Sequence, residues 1–438
     1  MRVFIHDEFP PETSAMLQAL YSRSAQSVEQ HAEKVREKGA DNFMANYYVG
    51  YGHASIGDCG VTTLYIEDVS ILACKAIQDN ALYSGQETST RYIDFAHRRV
   101  HDPLGTRESA DILQRWIAFY IENKDALVTS LKAKFPVEPG ASEKVWEKAI
   151  AAHAFDILRG FLPAGVTSQV AWTTNLRQAH EQVLRLIAHP ASEVRAIAEA
   201  CLRLLKERYP NSFGHAVSPE ESAYYREAYA VETYAAPEAP HLRPGDFLME
   251  STVDNARLEA EALDIVQHRP RKANLPKSLT RFGRYTCRFL LDFGSFRDLQ
   301  RHRGGFCRMP LIASEPGFHS WYLDQMPPAM RERAVSLVSD QLQRISKLDG
   351  ALSDAERQYY YPLGMNVACE LVYDLPQMVY VAELRSGKTV HPTLRWAAQK
   401  MALHLKQLHP RLALYANFAS SAFQAHRGTQ DIEERAAT

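Results

Sequence analysis

The chain has 438 residues and a formal net charge of -2 at neutral pH. That length exceeds one ordinary core, so two domains are expected, and the near-neutral balance argues against a broad nucleic-acid footprint. No apolar run reaches the roughly 18 to 20 residues that cross a bilayer, which leaves a small molecule, with no nucleic acid and no membrane, as the expected partner. Six cysteines, at 59, 74, 201, 287, 307 and 369, form no Cys-x-x-Cys pair, and Met1 leads into "RVFIHDEF" without a charged-then-apolar leader. A cytoplasmic, reduced, metal-free protein is the expectation.

In chain order, "RVFIHDE" reads as a short strand and "PPETSAMLQAL" as a helix. "VTTLYIEDVSILACKAIQDN" reads as a strand running into a helix, and "LPAGVTSQVAWTTNLRQAHEQVLRL" as a Pro-x-Gly entry followed by a helix-length apolar pattern. Tyr209 to Asp246 is rich in Pro, Ser, Glu and Tyr without sustained periodicity, and is taken as a linker over 209–246. The pattern then recurs. "DFLMEST", "DNARLEAEAL", "YTCRFLLDFGSFRDLQRHR" and "YPLGMNVACELVYDLPQMVYVAELR" repeat the first series, and His-Pro follows in both, at 189–190 and 391–392. Thr63 to Asp79 and Thr286 to Arg301 span nearly the same distance, with one residue of slip assigned to the turn. These features predict an α+β fold of two similar domains, 1–208 and 247–438, packed as a pseudo-dimer.

"RDLQRHRGGF" ends an apolar run with Arg301, His302 and Arg303, then two glycines. Cations in the last turn of a helix offset its dipole at about 0.3 to 1 kcal/mol each. The alternative is an anion site, because arginine presents a planar fork of donors and glycine lets a ligand approach the backbone.

The first half carries "GHASI", "ETSTRY", "LRGFLP", "TNLR" and "HPASEVR", and together these resemble the flavin-dependent thymidylate synthase family. That family's Arg-His-Arg, seven residues, Ser-x-Arg motif is divided here. The second half has Arg301-His302-Arg303 but Leu311 and Ala313 at the Ser-x-Arg positions; the first has Ser89 and Arg91 but Asp79-Asn80-Ala81 for Arg-His-Arg. The resemblance implies that Glu87, Ser89, Arg91 and Arg159 bind the nucleotide, with Gln358 at the second-half position of Arg159. It implies that Arg385 polarises the uracil, where the first half has Leu186, and that Asn175 and Arg177 touch the flavin adenine, where the second half has Asp374 and Pro376. Arg301, His302, Arg303 and Ser55 would hold FAD, with His53 a catalytic candidate; Ile56-Gly57-Asp58-Cys59 replaces the family's Pro-Phe-Glu-His.

The implied reaction converts dUMP to dTMP with methylenetetrahydrofolate as one-carbon donor and NADPH as reductant, at a composite site between the halves of a homodimer of pseudo-dimers. Another pyrimidine nucleotide as substrate, or a scaffold without catalysis, remains open. Cys59 and the run Tyr359-Tyr360-Tyr361 are assigned to packing, and Arg195 and Arg395 to pairing with carboxylates.

Overall fold

The computed structural model describes residues 8–22, 24, 27–38, 54–91, 93–137, 139, 142–213, 218–234, 242–348 and 350–419. The expected first strand, residues 2–7 of "RVFIHDE", and His53 lie outside them. Helix α1 (Pro11–Tyr21) and α2 (Val28–Lys38) are followed by β1 (Val61–Ser70), α3 (Ile71–Gln78), β2 (Ser84–Glu87), α4 (Arg107–Lys134), α5 (Glu143–Leu158) and β3 (Thr167–Asn175). Next come α6 (Leu176–Ile187), α7 (Ser192–Arg208), α8 (Pro210–Phe213) and α9 (Pro219–Tyr234). The second half supplies β4 (Phe247–Ser251), α10 (Asn255–Gln267), β5 (Arg284–Asp292), α11 (Phe293–Leu299) and β6 (Phe306–Arg308). It continues with α12 (Ser320–Asp324), α13 (Pro328–Ser346), α14 (Asp354–Arg357), β7 (Asn366–Asp374), α15 (Leu375–Arg385) and α16 (Pro392–Leu408). The fold is α+β, and among the described residues no helix is long and apolar enough to cross a membrane.

Three sequence expectations change. The segments after each Pro-x-Gly open as strands, β3 and β7, before their helices begin. Each is a central strand buried along much of its length, so its apolar run does not separate a strand from a helix by period alone. The 209–246 stretch contains α9, whose first turn is set by Ser218: its hydroxyl accepts from the Glu221 amide at 3.1 Å, with Pro219 as first helical residue. The one-residue slip lies inside β1, where Asp68 takes a left-handed φ of 59° and the exposed–buried alternation breaks across Glu67 and Asp68.

The two sheets have the same internal order, β1-β3-β2 and β4-β5-β7-β6, with β4 added at the edge of the second. Gly85 of β2 faces Trp172, Cys307 of β6 faces Leu371, and both follow Asp79 or Arg301 by the same interval, so the two segments share one register.

The chain forms two compact units that differ from its halves. One comprises residues 1–69, 73–87 and 168–232; the other comprises 70–72, 88–167 and 233–438. In the first, Met16, Leu17, Ala32, Val35 and Ile56 form a core beneath α1 and α2, and Cys59 packs against it. In the second, the Pro-x-Gly segments of both halves pair antiparallel at Pro163 and Pro362. Equivalent residues exchange hydrogen bonds reciprocally: Ala164 N to Tyr361 O and Leu363 N to Leu162 O, both 2.8 Å, then Gly165 N to Tyr359 O at 2.9 Å and Gly364 N to Gly160 O at 2.8 Å. Tyr359, Tyr360 and Tyr361 are buried here, in agreement with their assignment to packing, and Trp116 Nε1 donates to Tyr360 O at 3.0 Å. This pairing brings α5 and the residues after β2 into one unit with β5, α11 and α15.

Candidate functional site

The second unit gathers charged side chains from both sequence halves. Arg91 sits just after a turn in which Ser89 Oγ accepts from its amide at 3.2 Å. Its guanidinium grips Asp156 of α5 with Nε to Oδ1 at 2.7 Å and Nη2 to Oδ2 at 3.1 Å, and Nη2 also donates to Thr389 O at 3.0 Å. Burial pushes the Asp156 carboxyl up, while Arg91 and Arg159 pull against it. Arg159, one turn beyond Asp156, is 1% exposed, and Nη2 donates to Ser295 Oγ at 2.9 Å and lies 3.8 Å from Asp292. Burial alone would lower its pKa, but Tyr322, Asp292, Asp156 and Asp298 outweigh that and raise it.

A buried polar layer supports Arg159. Asp292 caps α11 by accepting from Ser295 N at 2.9 Å, and accepts from Tyr322 Oη at 2.7 Å and Thr393 Oγ1 at 2.5 Å. Ser295 Oγ and His391 Nδ1 each lie 2.8 Å from Thr393 Oγ1. His391 is the N-cap position of α16 with Pro392 behind it, whereas the helix after His189-Pro190 begins only at Ser192.

Helix α11 ends at Leu299, so Arg301, His302 and Arg303 lie beyond its last turn, which holds Arg297 and Asp298. His302 is not a cation. Its Nε2 accepts from Arg385 Nε at 2.6 Å, and burial, then Arg385, pushes its pKa down to about 3. Arg385 Nη2 also donates to Asp298 O at 2.8 Å, and burial lowers its pKa against the pull of Asp298. Arg301 is exposed and lies 3.5 Å from the Asp298 carboxylate, and Arg303 is half-buried. Burial would raise the Asp298 pKa, but Arg301, Arg385, Arg159 and Arg91 hold it well below the carboxylate range. The two glycines serve the chain itself: a Cβ on Gly304 would strike the Gln377 side chain, and one on Gly305 would strike Val372 O and the Tyr373 ring.

The anchored arginines each keep a donor over. Among the described residues Arg91 Nη1 and Arg385 Nη1 make no hydrogen bond, and Arg159 Nε is buried without a partner. Arginines 91, 159, 301, 303 and 385 carry five positive charges against Asp156, Asp292 and Asp298. The excess suits a doubly charged phosphate.

The second-half counterparts are committed to structure. Gln358 Oε1 accepts from Ile312 N at 3.0 Å, in the loop carrying Leu311 and Ala313, and Nε2 donates to Ala355 O at 3.1 Å. In the first unit, Asp79 pairs with Lys75 at 3.0 Å, and its carbonyl accepts from Arg185 Nη1 at 2.7 Å. Asn175 caps α6 by accepting from Gln178 N at 2.8 Å, as Asp374 caps α15 by accepting from Gln377 N at 2.8 Å. Arg177 pairs with Asp58 at 2.8 Å, and Glu87 Oε2 accepts from Gln78 Nε2 at 2.6 Å. Ser55 belongs to the 3-10 helix Ala54–Cys59. Arg195 and Arg395, expected to pair with carboxylates, donate to carbonyls: Arg195 to His189 and Pro190, Arg395 to Ser386 and Ala419, holding loops in place.

Sequence reasoning missed Asp156 and Asp298. Asp298 stands in "RDLQRHRGGF", three residues before Arg301, and Asp156 three residues before Arg159, just ahead of "LRGFLP".

An α+β protein whose second unit carries this arginine–carboxylate cluster is suited to a phosphate-bearing ligand. Residues 6–211 match the family described as thymidylate synthase complementing protein, Thy1. The chain is 24% identical over 437 residues to a UPF0159 protein of Chlamydia muridarum, covering 87% of this chain and 81% of that protein. It is 22% identical to the UPF0159 protein of Thermoplasma acidophilum, covering 92% and 95%. A flavin-dependent thymidylate synthase of Corynebacterium efficiens is 26% identical over 167 residues, 37% of this chain and 64% of that protein.

Proposed function

We propose that this protein is a flavin-dependent thymidylate synthase that methylates C5 of dUMP at one site built from both sequence halves. The observation that carries the reading is the convergence of Arg91 and Arg159 with Arg301 and Arg385 around Asp298, with donors left unpaired on three of them. Ser89, Arg91 and Arg159 hold the nucleotide phosphate through charge-assisted bonds worth about 1.5 to 3 kcal/mol apiece. Arg385, oriented by neutral His302, stabilises negative charge developing on the uracil in a water-poor site. The exposed Arg301 and half-buried Arg303 fit the pyrophosphate of FAD by charge and by accessibility. When bound, FAD supplies the hydride that completes the methyl group from methylenetetrahydrofolate, and NADPH restores its reduced form.

The chain is read as two divergent repeats, 1–208 and 247–438, about the linker 209–246, and as a pseudo-dimer that dimerises again. The common strand order and the reciprocal pairing of the Pro-x-Gly segments support this. Asn175 and Arg177 have structural partners already, so we leave the adenine contact to experiment.

The test is the visible spectrum of the purified chain titrated with FAD, then bleached with NADPH with and without dUMP, with dTMP assayed after addition of methylenetetrahydrofolate. One FAD per chain and dTMP formation are expected. Two FAD per chain would refute the division of labour, and absence of flavin binding would refute the enzyme reading.

A further inference from the structure

The helices that follow the two His-Pro pairs are twins. Each has 17 residues, α7 and α16, and each carries an arginine at its fourth position, Arg195 and Arg395. Arg395 is buried because the chain beyond α16 returns over it: Nη2 donates to Ala419 O at 2.9 Å and to Asn417 Oδ1 at 3.4 Å, while Nε donates to Ser386 O at 3.0 Å. Beyond α7 the chain enters α8 and α9 instead. Arg195 is only half-buried and anchors through Nη1, to His189 O at 2.9 Å and Pro190 O at 2.7 Å. Among the described residues its Nε and Nη2 make no hydrogen bond. Those two donors form the edge of a guanidinium that meets an oxyanion side by side, the edge with which Arg91 grips the Asp156 carboxylate.

Arg195 lines a cavity of about 380 Å3 in the first unit. The end of α6 supplies an apolar wall with Leu184 and Ile187, and α9 contributes Ser222, Tyr225 and Arg226. Spaced i, i+3 and i+4, these three share one face of α9 and present a hydroxyl, an aromatic ring and a second guanidinium. Arg226 is exposed and, among the described residues, makes no hydrogen bond or ion pair. His189 lines the cavity as well, but burial pushes its pKa down to about 3, so the positive charge comes from the two arginines. No acidic residue is among the described lining residues, and a cavity of this size takes a small molecule. We propose that this cavity binds a small organic anion, its carboxylate or phosphate head held by Arg195 and Arg226 and its apolar body resting against Ile187 and Tyr225. The site uses none of the residues assigned to the nucleotide or the flavin, and stands or falls apart from that reading.

Binding to the full-length chain, saturated with FAD and dUMP, is measured by calorimetry with benzoate, phenyl phosphate, benzyl alcohol and inorganic phosphate. Benzoate or phenyl phosphate is expected to bind more tightly than benzyl alcohol, which lacks the charged head, and than inorganic phosphate, which lacks the body. The tighter of the two assigns the head as carboxylate or phosphate. Arg226→Gln, at an exposed position without a partner, should weaken the better probe by about tenfold, the ratio corresponding to one hydrogen bond to a charged group. Ser222→Phe, which fills the cavity, should abolish binding at an unchanged melting temperature. Benzyl alcohol binding as well as the anions, or inorganic phosphate binding as well as phenyl phosphate, overturns the assignment. So does an affinity unchanged in Arg226→Gln, or the absence of binding of both aromatic anions to wild type. Failure of dUMP to bind refutes the nucleotide site and leaves this test readable, because Arg226→Gln and Ser222→Phe report on this cavity alone.

Discussion

The neutral, buried His302 makes an acid-sensitive element of the site, and the size of the effect can be worked out. Its folded pKa is about 3 against an ordinary 6.5. A depressed histidine pKa means that the unfolded chain takes up a proton, as pH falls below about 6.5, which the folded chain refuses. Stability from this group is therefore complete above about pH 6.5 and is lost as pH falls toward about 3. With one pKa unit equal to about 1.4 kcal/mol, the loss is on the order of 1 kcal/mol at pH 5.5 and 3 kcal/mol at pH 4.5. Protonation would also deprive Arg385 Nε of its acceptor and set two cations 2.6 Å apart. The perturbation is His302→Gln, whose amide oxygen can accept from Arg385 without titrating. Chemical denaturation of both proteins at pH 7.5, 5.5 and 4.5 should give a shallower loss for the variant by about the amounts above. The same acid slope in both, or an imidazole NMR titration of His302 with a midpoint above pH 6, refutes the reasoning.

Arg91→Ala strands the buried Asp156 carboxylate and should cost about 3 to 5 kcal/mol in denaturant unfolding, unless Asp156 is removed as well; an Arg91→Ala, Asp156→Ala double variant no more stable than the single would contradict this. Gly305→Ala meets the backbone at Val372 O and should lose about 1 to 3 kcal/mol, whereas Gly304→Ala meets the end of the Gln377 side chain and should lose less; thermal melts rank the two. Thr393→Val removes the buried donor to Asp292 and should lower stability by about 1 to 3 kcal/mol, with a melting temperature equal to wild type as the contrary result.

The sequence by itself carried the strand-then-helix order of Val61–Gln78 and Arg284–Leu299 and the split of arginines between halves. Periodicity and turn residues act over a few positions, so "YTCRFLLDFGSFRDLQRHR" announces a strand, a helix and a cationic end without any tertiary information. It could not announce which groups stay charged. His302 reads as one of three cations in a row, and only burial against Arg385 makes it a neutral acceptor. Arg301 and Arg385 stand far apart in sequence from Arg91 and Arg159, and it is the exchange of hydrogen bonds between Pro163 and Pro362 segments that draws α5 into their unit. Asp156 and Asp298 were legible as letters but not as partners, because a carboxylate acquires its role from the guanidinium groups that tertiary packing aims at it, and side-chain electrostatics depends on distance through space and not on distance along the chain.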